Sequence, residues 1–299
     1  MRNAVAYQTS ILDTDRMNTY YILIVEKFGL KFLVAIISIC VAGVSTGGSA
    51  NILSAEEVMR KVDNRYDGDS SIAHSTLILI DKKGRERIRQ IKIYSKDYDK
   101  DTKNLSLINS PPDISGTAYL YFDYEDSDKD DDSWLFLPSM QKIKRVAASD
   151  KSESFFGSDF TYSDINGLNL DWYSFRFIKQ SEFVDGHDTW VIELTPKKAY
   201  KSIAEIETGY TKHVFWVRKD NFFIIKGKLF LKRQAKIKYF KATDLQKIDG
   251  VWVAKKQQMV TTKNNKKRSA SVIVINSVTY NNSLADEIFN PETLHRGNR

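Results

Sequence analysis

The feature that most constrains this chain is its rhythm. From Ser71 to Tyr280, strand-length segments rich in β-branched and aromatic residues follow one another, separated by short turn signals. The candidate strands are 71–81, 85–95, 102–108, 117–124, 133–137, 141–147, 173–184, 188–195, 212–218, 222–232, 235–243, 251–261 and 268–280. Turn residues punctuate them at Lys82-Lys83-Gly84, Asp185-Gly186, Lys219-Asp220-Asn221, Asp249-Gly250 and Asn264-Asn265. Links this short join antiparallel neighbours, so the segments form a meander. About a dozen strands are too many for a flat open sheet, and the sheet must curl. The fold class is therefore mainly β, a curled antiparallel sheet with a few short helices. One helix is expected over 54–66. Ser54-Ala-Glu-Glu57 has the form of a capping box, and Val58, Met59 and Val62 follow at helical spacing.

Alternation gives several strands one wet and one greasy face. Trp134 and Phe136 share a face opposite Leu135 and Leu137, and Ile237 and Tyr239 alternate with Lys236 and Lys238. A curled sheet with an apolar concave side must be filled, by a dense core or by an apolar ligand. The inward residues expected to line such a cavity are Leu77, Leu79, Ile91, Ile93, Leu120, Phe122, Trp134, Phe136, Trp190 and Ile192. This assignment rests on parity, and a slip of one residue reverses it.

Two domains are expected: residues 1–50 as an N-terminal extension and signal peptide, and 51–299 as the folded unit. Phe32 to Val44 is an apolar run of 13 residues preceded by Lys27 and Lys31. That is short of the roughly 20 residues of a spanning helix and close to a secretory h-region. Gly48-Ser49-Ala50 supplies small residues for cleavage near Ala50, and Met17 is an alternative start to Met1. The expected location is the periplasm, with an uncleaved membrane anchor as the alternative. Ile39 precedes Cys40 where a lipobox needs a small residue, so no lipoprotein is expected. The formal charge is +7 from 45 basic and 38 acidic residues. Residues 1–50 hold 4 and 3 of these, which leaves 41 against 35, or +6, on the remainder. This excess favours anionic surfaces without requiring nucleic acid.

Residues 138–170 break the strand rhythm. Phe155, Phe156, Phe160 and Tyr162 sit in a polar, loop-like stretch, and Asp164 is placed to cap a short helix carrying Ile165 and Leu168. Two uses suit these rings: a loop folded under the sheet, or a lid over an apolar cavity. In the lid reading Phe155, Phe156 and Phe160 plug the cavity and Gly157, free to take positive φ, is the hinge.

Pro138-Ser-Met-Gln-Lys-Ile-Lys-Arg145 and Ser154-Phe-Phe-Gly-Ser-Asp-Phe-Thr-Tyr-Ser-Asp164 resemble the signature of the LolA-like outer membrane lipoprotein-sorting family. Val184-Asp-Gly-His-Asp-Thr-Trp190 and Phe289-Asn-Pro-Glu-Thr-Leu294 fit the same pattern, so the resemblance covers about residues 51–296. It implies an unclosed half β-barrel of the LolA/LolB type, with a helical lid over a hydrophobic cavity. It also implies a carrier that buries lipoprotein acyl chains or another lipid, for lipoprotein sorting or lipid export. Partners implied are the lipid itself, an inner-membrane RND/MMPL-type exporter and a transient membrane contact. A lid arginine is implied as well, with Arg145 and Arg176 as the candidates.

Other chemistry finds little support. There is no G-x-S-x-G, P-loop or G-x-G-x-x-G. His187 lies in a turn beside Asp185 and Asp188, with no serine marked out as its nucleophile. His74 and His213 sit within strands, and Glu205 and Glu207 read as surface charges on a β or loop segment. Asp126 to Asp132 lacks the Gly and Glu that a calcium loop needs, and reads as a solvated hairpin loop. The lysines from Lys226 to Lys241 read as a solvated convex face, with single-stranded nucleic acid as a rival that export disfavours. No enzyme activity, cofactor, metal or nucleic-acid partner is expected. The rivals to a carrier are a non-lipid-binding accessory subunit of an RND-type exporter and an envelope hydrolase.

Overall fold

The computed structural model describes residues 53–126, 129–232 and 235–296. The expected signal peptide and its cleavage point lie outside the described residues. No helix among the described residues is long and apolar enough to cross a membrane.

Among the described residues one antiparallel sheet of 13 strands runs from Ser70 to Tyr280, and it does not close. Its first half runs through β1 (Ser70–Ile80), β2 (Glu86–Tyr98), β3 (Asp101–Ser110), β4 (Ala118–Asp123), β5 (Asp132–Leu137) and β6 (Lys142–Arg145). The second half runs through β7 (Tyr173–Val184), β8 (His187–Pro196), β9 (Tyr210–Arg218), β10 (Ile224–Leu231), β11 (Lys236–Ile248), β12 (Val251–Lys263) and β13 (Lys266–Tyr280). Each half is a meander, and they join where β1 pairs with β13, leaving β6 and β7 as the edges. All 13 expected strands are present, within a few residues of their boundaries except β11, which runs on to Ile248.

Three α-helices accompany the sheet among the described residues. The first, α1 (Ala55–Asp63), has the expected capping box: the Ser54 hydroxyl accepts from the Glu57 amide and the Glu57 carboxylate accepts from the Ser54 amide. The second, α2 (Tyr162–Asn166), begins one turn earlier than expected. Thr161 is its cap, and Asp164 is the third residue of a second capping box. The third, α3 (Lys201–Thr208), was expected to be β or loop. Its pattern misleads because Ile203 and Ile206 face solvent, while Ala204, Glu205 and Thr208 are buried. The buried Glu205 pairs with Lys232 at 2.9 Å, and Glu207 with the buried Lys151 at 2.8 Å.

Both faces of the β1–β5 half are apolar, and this corrects part of the expected cavity lining. On one face Leu77, Leu79, Ile91, Ile108, Tyr119 and Tyr121 join the main core, together with Ile192 and Leu194 from β8. On the other face Leu105, Leu107, Leu120 and Phe136 pack with Phe122 and Trp134 beneath Leu284, Phe289 and Leu294 of the C-terminal tail. The parity is therefore as expected on β1, β2 and β8, where Ile93 and Trp190 also pack against the main core. It is reversed on β4 and β5. Alternation cannot tell two apolar faces apart, and the tail that covers the second face is distant in sequence.

On β11 the wet and greasy faces are also exchanged. Lys238 is buried and Tyr239 is exposed at 36%. Lys238 is therefore not one of a row of solvated lysines.

Candidate functional site

Residues 146–172 lie against the core face of the sheet and are pinned there by polar anchors. Asp159 accepts hydrogen bonds from the hydroxyls of Thr261 and Ser269, and from Ser271 at 2.8 Å, while its own amide donates to Ser271 Oγ. Asp164 Oδ2 accepts from the Thr161 amide and, at 2.9 Å, from the Tyr210 hydroxyl. Lys238 Nζ donates to the Tyr210 hydroxyl at 2.9 Å and lies 3.7 Å from Asp164 Oδ2. Burial holds the Lys238 ammonium below its ordinary pKa against the pull of Asp164 and Asp159. Burial, then Asp164, raise the Tyr210 phenol. The Ser158-Asp-Phe-Thr-Tyr-Ser-Asp164 stretch thus has a physical meaning: Phe160 and Tyr162 carry rings into the core, while the carboxylates of Asp159 and Asp164 accept hydrogen bonds from the strands.

Between α1, this segment and strands β9–β12 lies a cavity of about 430 Å³, within the range of small-molecule sites. Met59 and Val62 of α1, Phe160, Leu168 and Leu170 of the segment, and Phe215, Ile224, Leu229, Phe240 and Met259 of the sheet make its apolar wall. Phe222 and Phe223, from the β9–β10 turn, complete it. Cations stand over both rings, Lys61 Nζ 5.6 Å from the Phe222 centroid and the Arg65 guanidinium 4.6 Å from that of Phe223. Asp63, Arg65, Ser163, Asp164, His213 and Gln257 are its polar members.

The ten strand residues expected to line a cavity do not border this one; they pack in the two apolar clusters. Of the expected lid, Phe160 borders it, whereas Phe155 and Phe156 are buried in the main core and Gly157 does not reach it. Phe156 and Gly157 are both left-handed, with φ of 46° and 71°, so the chain doubles back and both rings face inward. Arg89 on β2 donates from its guanidinium to the Phe156 carbonyl. Arg145 and Arg176 instead form exposed pairs with Asp132 and Glu193. Arg89 has the same parity on β2 as Ile91, which aims it at the segment; nothing in the run Arg85, Arg87, Arg89 singles it out by sequence.

His213 is the cavity residue that the strand pattern hides. It is 1% exposed, and neither ring nitrogen has a hydrogen-bond partner in the protein. Tyr173, Tyr210 and Phe215 surround it, with ring centroids 5.6, 5.1 and 5.6 Å away. Burial depresses its pKa to about 3. The folded chain therefore keeps His213 neutral at a pH where the unfolded chain protonates it. Its contribution to stability is full above pH 6.5 and is lost as the pH falls towards 3, at up to about 1.4 kcal/mol per unit. Urea unfolding at stepped pH should show this slope in the native chain, and His213→Phe should remove it.

Several solved structures share this architecture. An outer membrane lipoprotein-sorting protein domain from Vibrio parahaemolyticus is 26% identical, with a TM-score of 0.70 over 81% of this chain and 98% of that one. A DUF1329 family protein from Desulfovibrio piger is 28% identical, with a TM-score of 0.71 over 80% and 97%. A LolA superfamily protein from Nitrosomonas europaea, at 21% identity and a TM-score of 0.59 over 80% and 98%, shares the fold. No functionally curated protein matches the chain. Residues 100–296 match the model of a family described as "uncharacterized protein". By that match the chain belongs to this family, and in sequence and fold it is similar to the outer membrane lipoprotein-sorting domain and the DUF1329 protein.

Proposed function

We propose that this protein is a periplasmic carrier that reversibly buries the apolar chain of a lipid, or of a lipoprotein's acyl group, without making or breaking a bond. The observation that carries the reading is the cavity of about 430 Å³ walled by Met59, Val62, Phe215, Leu229, Phe240 and Met259. Each buried methylene contributes roughly 0.8 kcal/mol, so a single chain supplies several kcal/mol after its ordering cost. The relatives named for outer membrane lipoprotein sorting and for the LolA superfamily support the same direction. Release then requires a competing receptor or a movement of the segment bearing Phe160 and Leu168.

An environment-sensitive fluorophore should bind with an affinity on the order of micromolar and be displaced by fatty acid. Ile224→Trp, which places an indole in the cavity, should weaken binding at least about tenfold with little change in unfolding midpoint. Equal binding by both proteins would remove the cavity from the mechanism. A second reading, an exporter subunit that binds no lipid, draws on the dense packing of Phe155, Phe156 and Tyr119 elsewhere in the interior. Failure of any lipid to bind would select it.

A further inference from the structure

We infer that the cavity recognises an uncharged hydrogen-bonding end, a terminal hydroxyl on a single apolar chain, through His213. The inference rests on the carrier reading and specifies its ligand. His213 borders the cavity, is 1% exposed and has both ring nitrogens without a partner in the protein. An unsatisfied buried polar group costs free energy that an apolar residue of the same shape would not. The surroundings are aromatic on three sides, Tyr173, Tyr210 and Phe215, so a phenylalanine ring suits the space as well. A purely hydrocarbon cargo gives the site no use for an imidazole.

The neighbouring groups decide the chemistry of the end that meets it. A neutral imidazole offers one donor and one acceptor, as a hydroxyl does. A carboxylate or phosphate is disfavoured twice. It would lose its hydration with no unengaged cation beside it among the described residues: Arg65 of the cavity wall stands over Phe223 and donates to the Trp252 carbonyl, and Lys238 is engaged by Tyr210 and Asp164. It would also meet the Asp164 carboxylate, which borders the same cavity. An ammonium end would have to shed its water against a wall that is mostly phenylalanine, leucine and methionine.

The test is a two-by-two cycle on the purified full-length protein, with 1-dodecanol and dodecane displacing the fluorophore from the native chain and from His213→Phe. The expected result is that the preference for dodecanol over dodecane is about tenfold greater in the native chain, or about 1.4 kcal/mol of coupling. His213→Gln, which keeps a donor and an acceptor, should retain part of that preference and guards against a misfolded phenylalanine variant. Both ligands binding with the same ratio in the native and phenylalanine proteins, within about twofold, would overturn the inference and leave the carrier reading standing. Binding of neither ligand to the native chain would overturn both.

Discussion

Phe155→Ala should lower the unfolding free energy by about 3–5 kcal/mol and leave the off-rate of a bound lipid nearly unchanged. Phe155 is 2% exposed and lies among rings, with centroids 4.3 Å from Phe156, 5.8 Å from Tyr162 and 6.2 Å from Tyr119. It belongs to the main core and does not border the cavity. Truncation leaves a void that the left-handed Phe156-Gly157 turn cannot fill, because Arg89 holds the Phe156 carbonyl to β2. Phe160→Ala should behave differently. That ring is shared between core and cavity, so its loss should cost stability and also speed ligand release. Unfolding midpoints and stopped-flow off-rates on the same two variants separate the roles. A small midpoint change with a faster off-rate for Phe155→Ala would restore it as a moving plug.

The contrast shows what was legible in the sequence. The strand succession, the α1 capping box and the anomalous aromatic segment all rest on local signals, and each appears where the local pattern places it. What failed was facing. Leu120, Phe122, Trp134 and Phe136 alternate correctly, but they meet the C-terminal tail, which lies more than a hundred residues away in sequence. Lys238 reads as solvated because one lysine among several on a basic strand gives no sign that Tyr210 and Asp164 await it across the fold. The short α3 was lost because its apolar residues point outward. His213 could have been found only by asking which strand residues border the cavity, and that depends on where the 146–172 segment stops filling the interior.

The buried Lys238–Tyr210–Asp164 group should be costly to break singly and far less costly to replace whole. Asp164→Leu removes the acceptor of the Tyr210 hydroxyl, the negative partner of Lys238 and one arm of the α2 capping box. It leaves a 6%-exposed ammonium facing an apolar side chain. The expected loss is about 3–5 kcal/mol, most of it the penalty of an uncompensated buried charge. Lys238→Met alone should cost less, since Asp164 keeps the Tyr210 hydroxyl and the Thr161 amide. In the double variant the orphaned charge is gone, and adding Tyr210→Phe removes the hydroxyl that would otherwise lose both partners, so the triple variant should recover most of the Asp164→Leu loss. The residue of the loss should be the capping contribution, about 1 kcal/mol. Strict additivity of the two single losses in urea unfolding would show that Lys238 and Asp164 do not act as a pair. Because Asp164 also borders the cavity, the double variant removes its charge there, and binding of an anionic chain such as laurate should improve while that of dodecanol stays nearly unchanged.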